Sequence, residues 1–281
     1  MLKARIVTAI VLLGLFLGAL FYLPPAGWLG GTALVASLAL WEWGGLMKRP
    51  HGERMVLALL VFVFCISFGA SLPQAFLVDR SGVGQGDALW ETGKWFYYPA
   101  AVFWVMVVPV WLKQRWALSN RLVGYATGLL VVLPAWAALT QLRQLGGLLF
   151  LSVMALVWIA DIAAYFAGRA FGRHKLAPAI SPGKTWEGAI GGGVGVILYG
   201  FVLSSKLPQA LAGNLPLLVS SLIVLTAVSI VGDLFESLLK RQAGLKDSSN
   251  LLPGHGGVLD RIDSLTSTLP LVALVWFSVG L

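Results

Sequence analysis

Apolar runs of membrane-crossing length recur along the whole chain, at residues 6–23, 27–46, 55–78, 97–112, 122–141, 146–167, 188–205, 215–235 and 264–281. A helix of about 20 apolar residues crosses roughly 30 Å of hydrocarbon, where every backbone N–H and C=O must find its partner within the segment. The expected fold is therefore all-α: a polytopic integral membrane protein of about nine transmembrane helices. Composition closes the soluble alternative. Hydrophobic residues make up 58% of the chain and charged ones only 11%, against about 25% charged in a soluble domain. That is too little polar surface to cover a globule in water. Two spans are weaker than the rest: 97–112 is short, and 27–46 follows a turn of only Pro24, Pro25 and Ala26.

A net charge of +8 in a soluble chain would suggest nucleic acid. In a membrane chain the basic residues first of all set topology, because Lys and Arg accumulate in cytoplasmic loops. With a cytoplasmic N-terminus, sixteen of the twenty Lys and Arg fall on inner segments, Lys3, Arg5 and Lys48 among them. Arg80, Lys94, Arg143 and Lys206 fall on outer ones. The expected partners are thus a lipid bilayer and no nucleic acid. The opening stretch has the basic-then-apolar layout of a signal peptide, but its apolar run is long for one and no clear cleavage site follows. It reads as a retained first span. Cys65 stands alone, which excludes an intrachain disulfide and a cysteine metal cluster. One membrane domain covers 1–281, with five spans in 1–145 and four, with the longest inner loops, in 146–281. Those loops, 168–187 and 236–263, are where function is expected; the outer loop 79–94 carries no motif.

The densest chemistry lies in residues 231–264, VGDLFESLLKRQAGLKDSSNLLPGHGGVLDRIDS, which hold five of the twelve acidic residues: Asp233, Glu236, Asp247, Asp260 and Asp263. Charges in an apolar protein are costly unless they meet ions, phosphates or one another. Asp233 and Glu236 stand three apart at the end of an apolar helix, with Ser237 and Lys240 following on the same face. Asp260 and Asp263 repeat that spacing where the last helix begins. Glycine-rich PGHGG lies between, backbone that can turn tightly and approach a ligand. Facing carboxylates make a hard oxygen site of the kind Mg²⁺ takes when it also holds phosphates. Lys240, Arg241, Lys246 and Arg261 would then neutralise phosphate oxygens. The bland alternative is a set of loop salt bridges and topology signals, the reading given to Lys48 and Arg49.

The order of these residues says more than their number. Ser237-x-x-Lys240-Arg241, then Lys246-Asp247, then Pro253-Gly254-His255-Gly256-Gly257, then Asp260-Arg261-x-Asp263 closely resembles the signature of the phosphatidate cytidylyltransferases, or CDP-diglyceride synthases. It covers 27 residues with about a dozen fixed positions and no departure from the pattern. The resemblance extends upstream through SPGKTWEG to the Asp161 segment. It implies transfer of CMP from CTP to phosphatidic acid with release of pyrophosphate, Mg²⁺ as cofactor, and a homodimer with its site at the cytoplasmic face of a bacterial inner membrane. A second, monovalent cation is left open. Carried over by position, Asp233 and Asp260 would be metal ligands with Glu236 beside them. Lys240, Arg241 and Arg261 would face phosphates. Asp247, His255 and Asp263 belong to the signature, His255 as an organiser of the loop rather than a general acid.

The other inner loop offers Ser181, Lys184 and Thr185 at a helix start, where free N–H groups favour anions. Its GKT is no P-loop, because the glycine required five positions before Gly183 is Pro178. The segment resembles the family's SPKKT-like stretch, with Gly183 replacing a commoner lysine. Asp161, an acid inside a span, is a functional candidate by default and matches an acidic position of the family; the alternative is pairing with Arg169 or a nearby lysine. Glu42, between two Trp, is expected to be structural, snorkelling or paired with Lys48. The expected reaction is in-line attack of a phosphatidate oxygen on the α-phosphorus of CTP, driven by positioning and charge neutralisation. Two alternatives use the same features: a CTP-dependent lipid-alcohol kinase attacking the γ-phosphorus, and a transporter, which should keep its charges near the bilayer midplane.

Overall fold

The computed structural model describes residues 2–78 and 87–279, with side chains excepted at 2–5, 87 and 279. Lys3 and Arg5 as charges, Arg80, and the 79–86 part of the outer loop therefore lie outside the described residues. The elements are α1 (Leu2–Tyr22), α2 (Pro25–Leu46), α3 (His51–Ser71), α4 (Pro73–Phe76), α5 (Asp87–Val102), α6 (Val108–Gln114), α7 (Arg121–Arg143) and α8 (Gly147–Phe171). After α8 come strands β1 (Lys175–Ala177) and β2 (Ser181–Thr185), then α9 (Trp186–Leu203), α10 (Gln209–Ala212), α11 (Leu215–Ala243) and α12 (Leu259–Val279). Among the described residues, six helices are long and apolar enough to cross a membrane: α3, the continuous α5–α6 helix, α7, α8, α9 and α11. The apolar part of α1, Ile6–Tyr22, is shorter. Helices α2 and α12 have the length, but they bury the polar groups Glu42, Asp260, Thr266, Ser267 and Thr268.

Three boundaries differ from expectation. The short span 97–112 runs from Asp87 to Gln114 through a wide π-turn at Phe103–Val107. There Val108 N–H reaches Phe103 O, next to Pro109, which has no N–H to give to the ladder. Residues 87–94 are thus helix rather than outer loop, with Lys94 and Glu91 paired at 2.6 Å. The inner loop 168–187 shrinks at both ends, and its middle forms an antiparallel hairpin pairing Lys175 with Thr185 and Ala177 with Ser181. This small departure from an all-helical chain follows from Pro178, Pro182 and Gly183, which no helix accommodates well. Helix α11 continues to Ala243 and stops where Gly244 turns left-handed at φ 76°. With α12 beginning at Leu259, the loop between the two helices is only 244–258.

Aromatics fill the core of α2, α5–α7, α11 and α12: Trp43, Trp104, Trp136, Tyr97, Phe235 and Phe277 are almost fully buried. Without a hydrophobic gain between helices in lipid, close packing and interhelical hydrogen bonds hold the bundle. Tyr97 Oη donates to Gln141 Oε1 at 2.6 Å, Thr32 and Thr140 hydroxyls meet at 3.1 Å, and Ser267 donates to Val228 O at 2.9 Å. Helices α8 and α9 pack through small residues: a methyl group at Gly191 would fall 2.2 Å from Ala167 Cβ, and one at Gly195 2.8 Å from Ala163 Cβ.

The loop ends of the helices gather at one end of the bundle. Thr8 near the start of α1 donates to Pro253 O at 3.1 Å, and Gln242 on α11 donates to Arg115 O and Trp116 O at 3.0 Å each. The start of α1, the end of α6 and the 244–258 loop therefore share that end, and Lys184 of the β-hairpin joins them through Asp233 of α11.

Candidate active site

Helix α11 carries the site. Its last turns present Asp233, Glu236, Ser237 and Lys240 along one face, as their spacing of three and four requires. Against the Asp233 end lies a cavity of about 470 Å³ between α8, β2, α9 and α11. Its polar walls are Asp161, Tyr165, Arg169, Ser181, Lys184 and Asp233; its deeper walls are Ala160, Gly192, Thr226 and Ile230. Lys184 Nζ lies 2.5 Å from Asp233 Oδ2, and Ser237 Oγ donates to Asp233 Oδ1 at 3.2 Å. The hairpin thus brings its lysine across to the helix. Asp161 lines this cavity together with Arg169 and Lys184, and the Arg169 guanidinium approaches Tyr165 Oη. Thr185 is buried as the N-cap of α9, accepting from Gly188 N–H at 3.1 Å, so its hydroxyl already has capping work.

One turn further along α11, Lys240 Nζ bridges Glu236 Oε2 at 3.1 Å and Asp260 Oδ1 at 2.6 Å. The other oxygen of Asp260 is enclosed: Ser248 N–H, Ser248 Oγ and Gly257 N–H all donate to Oδ2 at 2.8 Å. PGHGG makes this possible. Gly254 and Gly256 have φ of 75° and 78°, and a Cβ at Gly256 would sit 2.6 Å from Asp260 Oδ2. Asp263 takes its own N-terminal turn, accepting from Ser264 N–H at 2.8 Å. His255 is half-buried within the loop, its N–H bonded to Leu252 O at 2.9 Å, with ring Nδ1 buried and unbonded. Arg241, Lys246, Asp247 and Arg261 are exposed around the rim. Of the residues singled out from sequence, the fold brings together Asp161, Ser181, Lys184, Thr185 and Asp233 at the cavity. Glu236, Lys240 and Asp260 meet beside the loop.

Sequence reasoning missed Ser248, His174 and Glu187, and gave Glu42 the wrong partners. Ser248 holds Asp260, but a serine in a polar loop gives no signal. His174 and Glu187 pair at 2.6 Å and tie the hairpin to the first turn of α9. Glu42 neither snorkels nor pairs with Lys48. It is 0% exposed and receives Ser249 Oγ, Val258 N–H and Leu259 N–H at 2.7, 2.9 and 2.6 Å. The structural role expected for it holds, with a different set of partners.

The donor chemistry suits a hard divalent cation: carboxylates of α11 and α12 face each other, and Glu236 Oε1 is a buried acceptor without a partner. Among the described residues no three His, Cys, Asp or Glu side chains form a finished metal site. The ammonium groups of Lys184 and Lys240 lie against Asp233, Glu236 and Asp260.

Charged groups crowding one end of a helical membrane bundle, acids and lysines together around an amphipathic cavity, define a membrane enzyme for phosphate-bearing substrates. The chain belongs to the Cytidylyltransferase family, whose sequence model matches residues 3–279. The phosphatidate cytidylyltransferase of Pseudomonas aeruginosa is 43% identical over 285 residues, covering 100% of this chain and 98% of its own length. That of Haemophilus influenzae is 35% identical over 297 residues, covering 99% and 100%. That of Thermotoga maritima is 31% identical over 283 residues, covering 98% and 96%.

Proposed function

We propose that this chain transfers CMP from CTP to phosphatidic acid, giving CDP-diacylglycerol and pyrophosphate for phospholipid biosynthesis. The observation that carries the reading is the 470 Å³ cavity, whose walls pass from Gly192, Thr226 and Ile230 to Lys184, Arg169 and Asp233. A molecule with lipid tails and a phosphate head fits such a gradient. Full-length similarity to phosphatidate cytidylyltransferases supports the same assignment.

In this reading phosphatidate lies with its head by Lys184 and Ser181, and CTP comes from the water side across the exposed Arg241, Lys246 and Arg261. The phosphate is already ionised at neutral pH, so attack on the α-phosphorus needs no strong base. Lys184 and Lys240 hold the reacting phosphates in line and offset charge as pyrophosphate leaves. Asp233 and Asp260, with Glu236, would hold Mg²⁺. When bound, the ion supplies charge neutralisation at the phosphates. Nine spans, a cytoplasmic N-terminus and loop end, a bacterial inner-membrane location and a homodimer complete the proposal. The loop-end position of Thr8 and the sixteen-to-four split of basic residues support the orientation. The crowding of charges at one end also counts against a transporter.

The test uses purified protein with phosphatidic acid, Mg²⁺ and CTP labelled at the α- or γ-phosphate. Label from the α position in lipid, with pyrophosphate released, is expected. Label from the γ position in lipid would make the protein a kinase instead.

A further inference from the structure

We infer that Glu42, in the N-terminal half of the chain, is a positioning residue for this reaction: it holds the catalytic loop in the shape that aims Asp260 at Lys240. The inference rests on the function proposed above. Its observations are geometric. Glu42 is a fully buried carboxylate; the Arg54 guanidinium lies near enough to act on it electrostatically, but among the described residues no direct ion pair to it forms. Such a group is retained only if hydrogen bonds replace its hydration. All of its donors come from one segment, 248–259.

Two carboxylates divide the amides of that segment. Asp260 takes Ser248 N–H and Gly257 N–H; Glu42 takes the next two, Val258 N–H and Leu259 N–H. The latter are unpaired donors at the start of α12, so Glu42 caps that helix from another helix. Ser248 Oγ lies between the acids, 2.8 Å from Asp260 Oδ2 and 3.1 Å from Glu42 Oε2. Its single proton favours the shorter contact. There is no slack: a Cβ at Gly257 would fall 2.2 Å from Ser248 Oγ and 2.4 Å from Glu42 Oε1. If the loop relaxes, Asp260 loses the donors on Oδ2 that fix which way Oδ1 points.

The experiment uses the full chain in detergent with Glu42→Gln, Ser248→Ala and the double variant. Two quantities are read: hydrogen exchange at the amides of 248 and 257–259, and kinetics of CMP transfer. Glu42→Gln should speed exchange at those amides without added substrate or Mg²⁺. It should lower kcat by about 10- to 100-fold, the scale of a displaced reacting group, while KM for CTP changes by less than about twofold. The double variant should be no slower than the worse single one, because both act through Asp260. Unchanged kcat, or losses that multiply in the double variant, overturns the inference. Should Glu42→Gln not fold, Ser249→Ala, which removes one donor to Glu42, must show the same exchange and kcat pattern in weaker form. Absence of CMP transfer by the unaltered chain would sink the proposed reaction, while the exchange result still decides whether Glu42 holds the loop.

Discussion

The two ends of the α11 charge row are built differently. Asp233 faces a cavity and is held by two side chains, Lys184 and Ser237, both able to swing. Asp260 is held by Lys240, two backbone amides and a buried hydroxyl, in a loop locked by a second carboxylate. Mobile side chains can exchange one partner for another as a ligand arrives. Backbone donors cannot, and they keep geometry fixed instead. In the proposed function, this difference would separate a place for binding from a place that fixes where chemistry happens.

Substitutions that strip each end test this contrast. The largest effect is expected at the fixed end: Asp260→Asn should lower kcat for CMP transfer by about 10²–10³-fold, the scale of losing one preorganised electrostatic partner, with the protein still folded by gel filtration. At the open end, Lys184→Ala removes one charge-assisted hydrogen bond worth about 1.5–3 kcal/mol. It should reduce kcat/KM for phosphatidic acid by about 10- to 100-fold. Gly257→Ala overpacks the clamp, and a loss of about 1–3 kcal/mol should appear as a lower melting temperature in detergent. The smallest effect belongs to Lys206→Ala, an exposed residue beyond α9: stability within about 0.5 kcal/mol of the parent and unchanged turnover. Equal loss of kcat at Asp260 and Lys184 would erase the contrast.

The helices were legible because bilayer thickness imposes a length that composition reveals directly. Their ends were not: α11 outlasts its apolar run by two turns because amphipathic Asp233–Ala243 continues the helix past it, until Gly244 ends it. The β-hairpin of 175–185 hid in a short segment whose prolines and glycine announce only a break. At the site, Asp233, Glu236 and Lys240 could be placed on one face by spacing alone. That Lys184 reaches Asp233 needed the hairpin, and that Glu42 reaches Leu259 spans 217 positions, a distance at which no local pattern carries information.

That separation has a consequence for how the protein is made. Helix α2 leaves the ribosome early, carrying a carboxylate whose donors are among the last segments to be synthesised. Until residues 248–259 arrive, Glu42 must remain hydrated or neutral at the membrane surface, so α2 cannot settle into its final depth. A chain stopped before α12 would display an unsatisfied acid in an otherwise apolar helix.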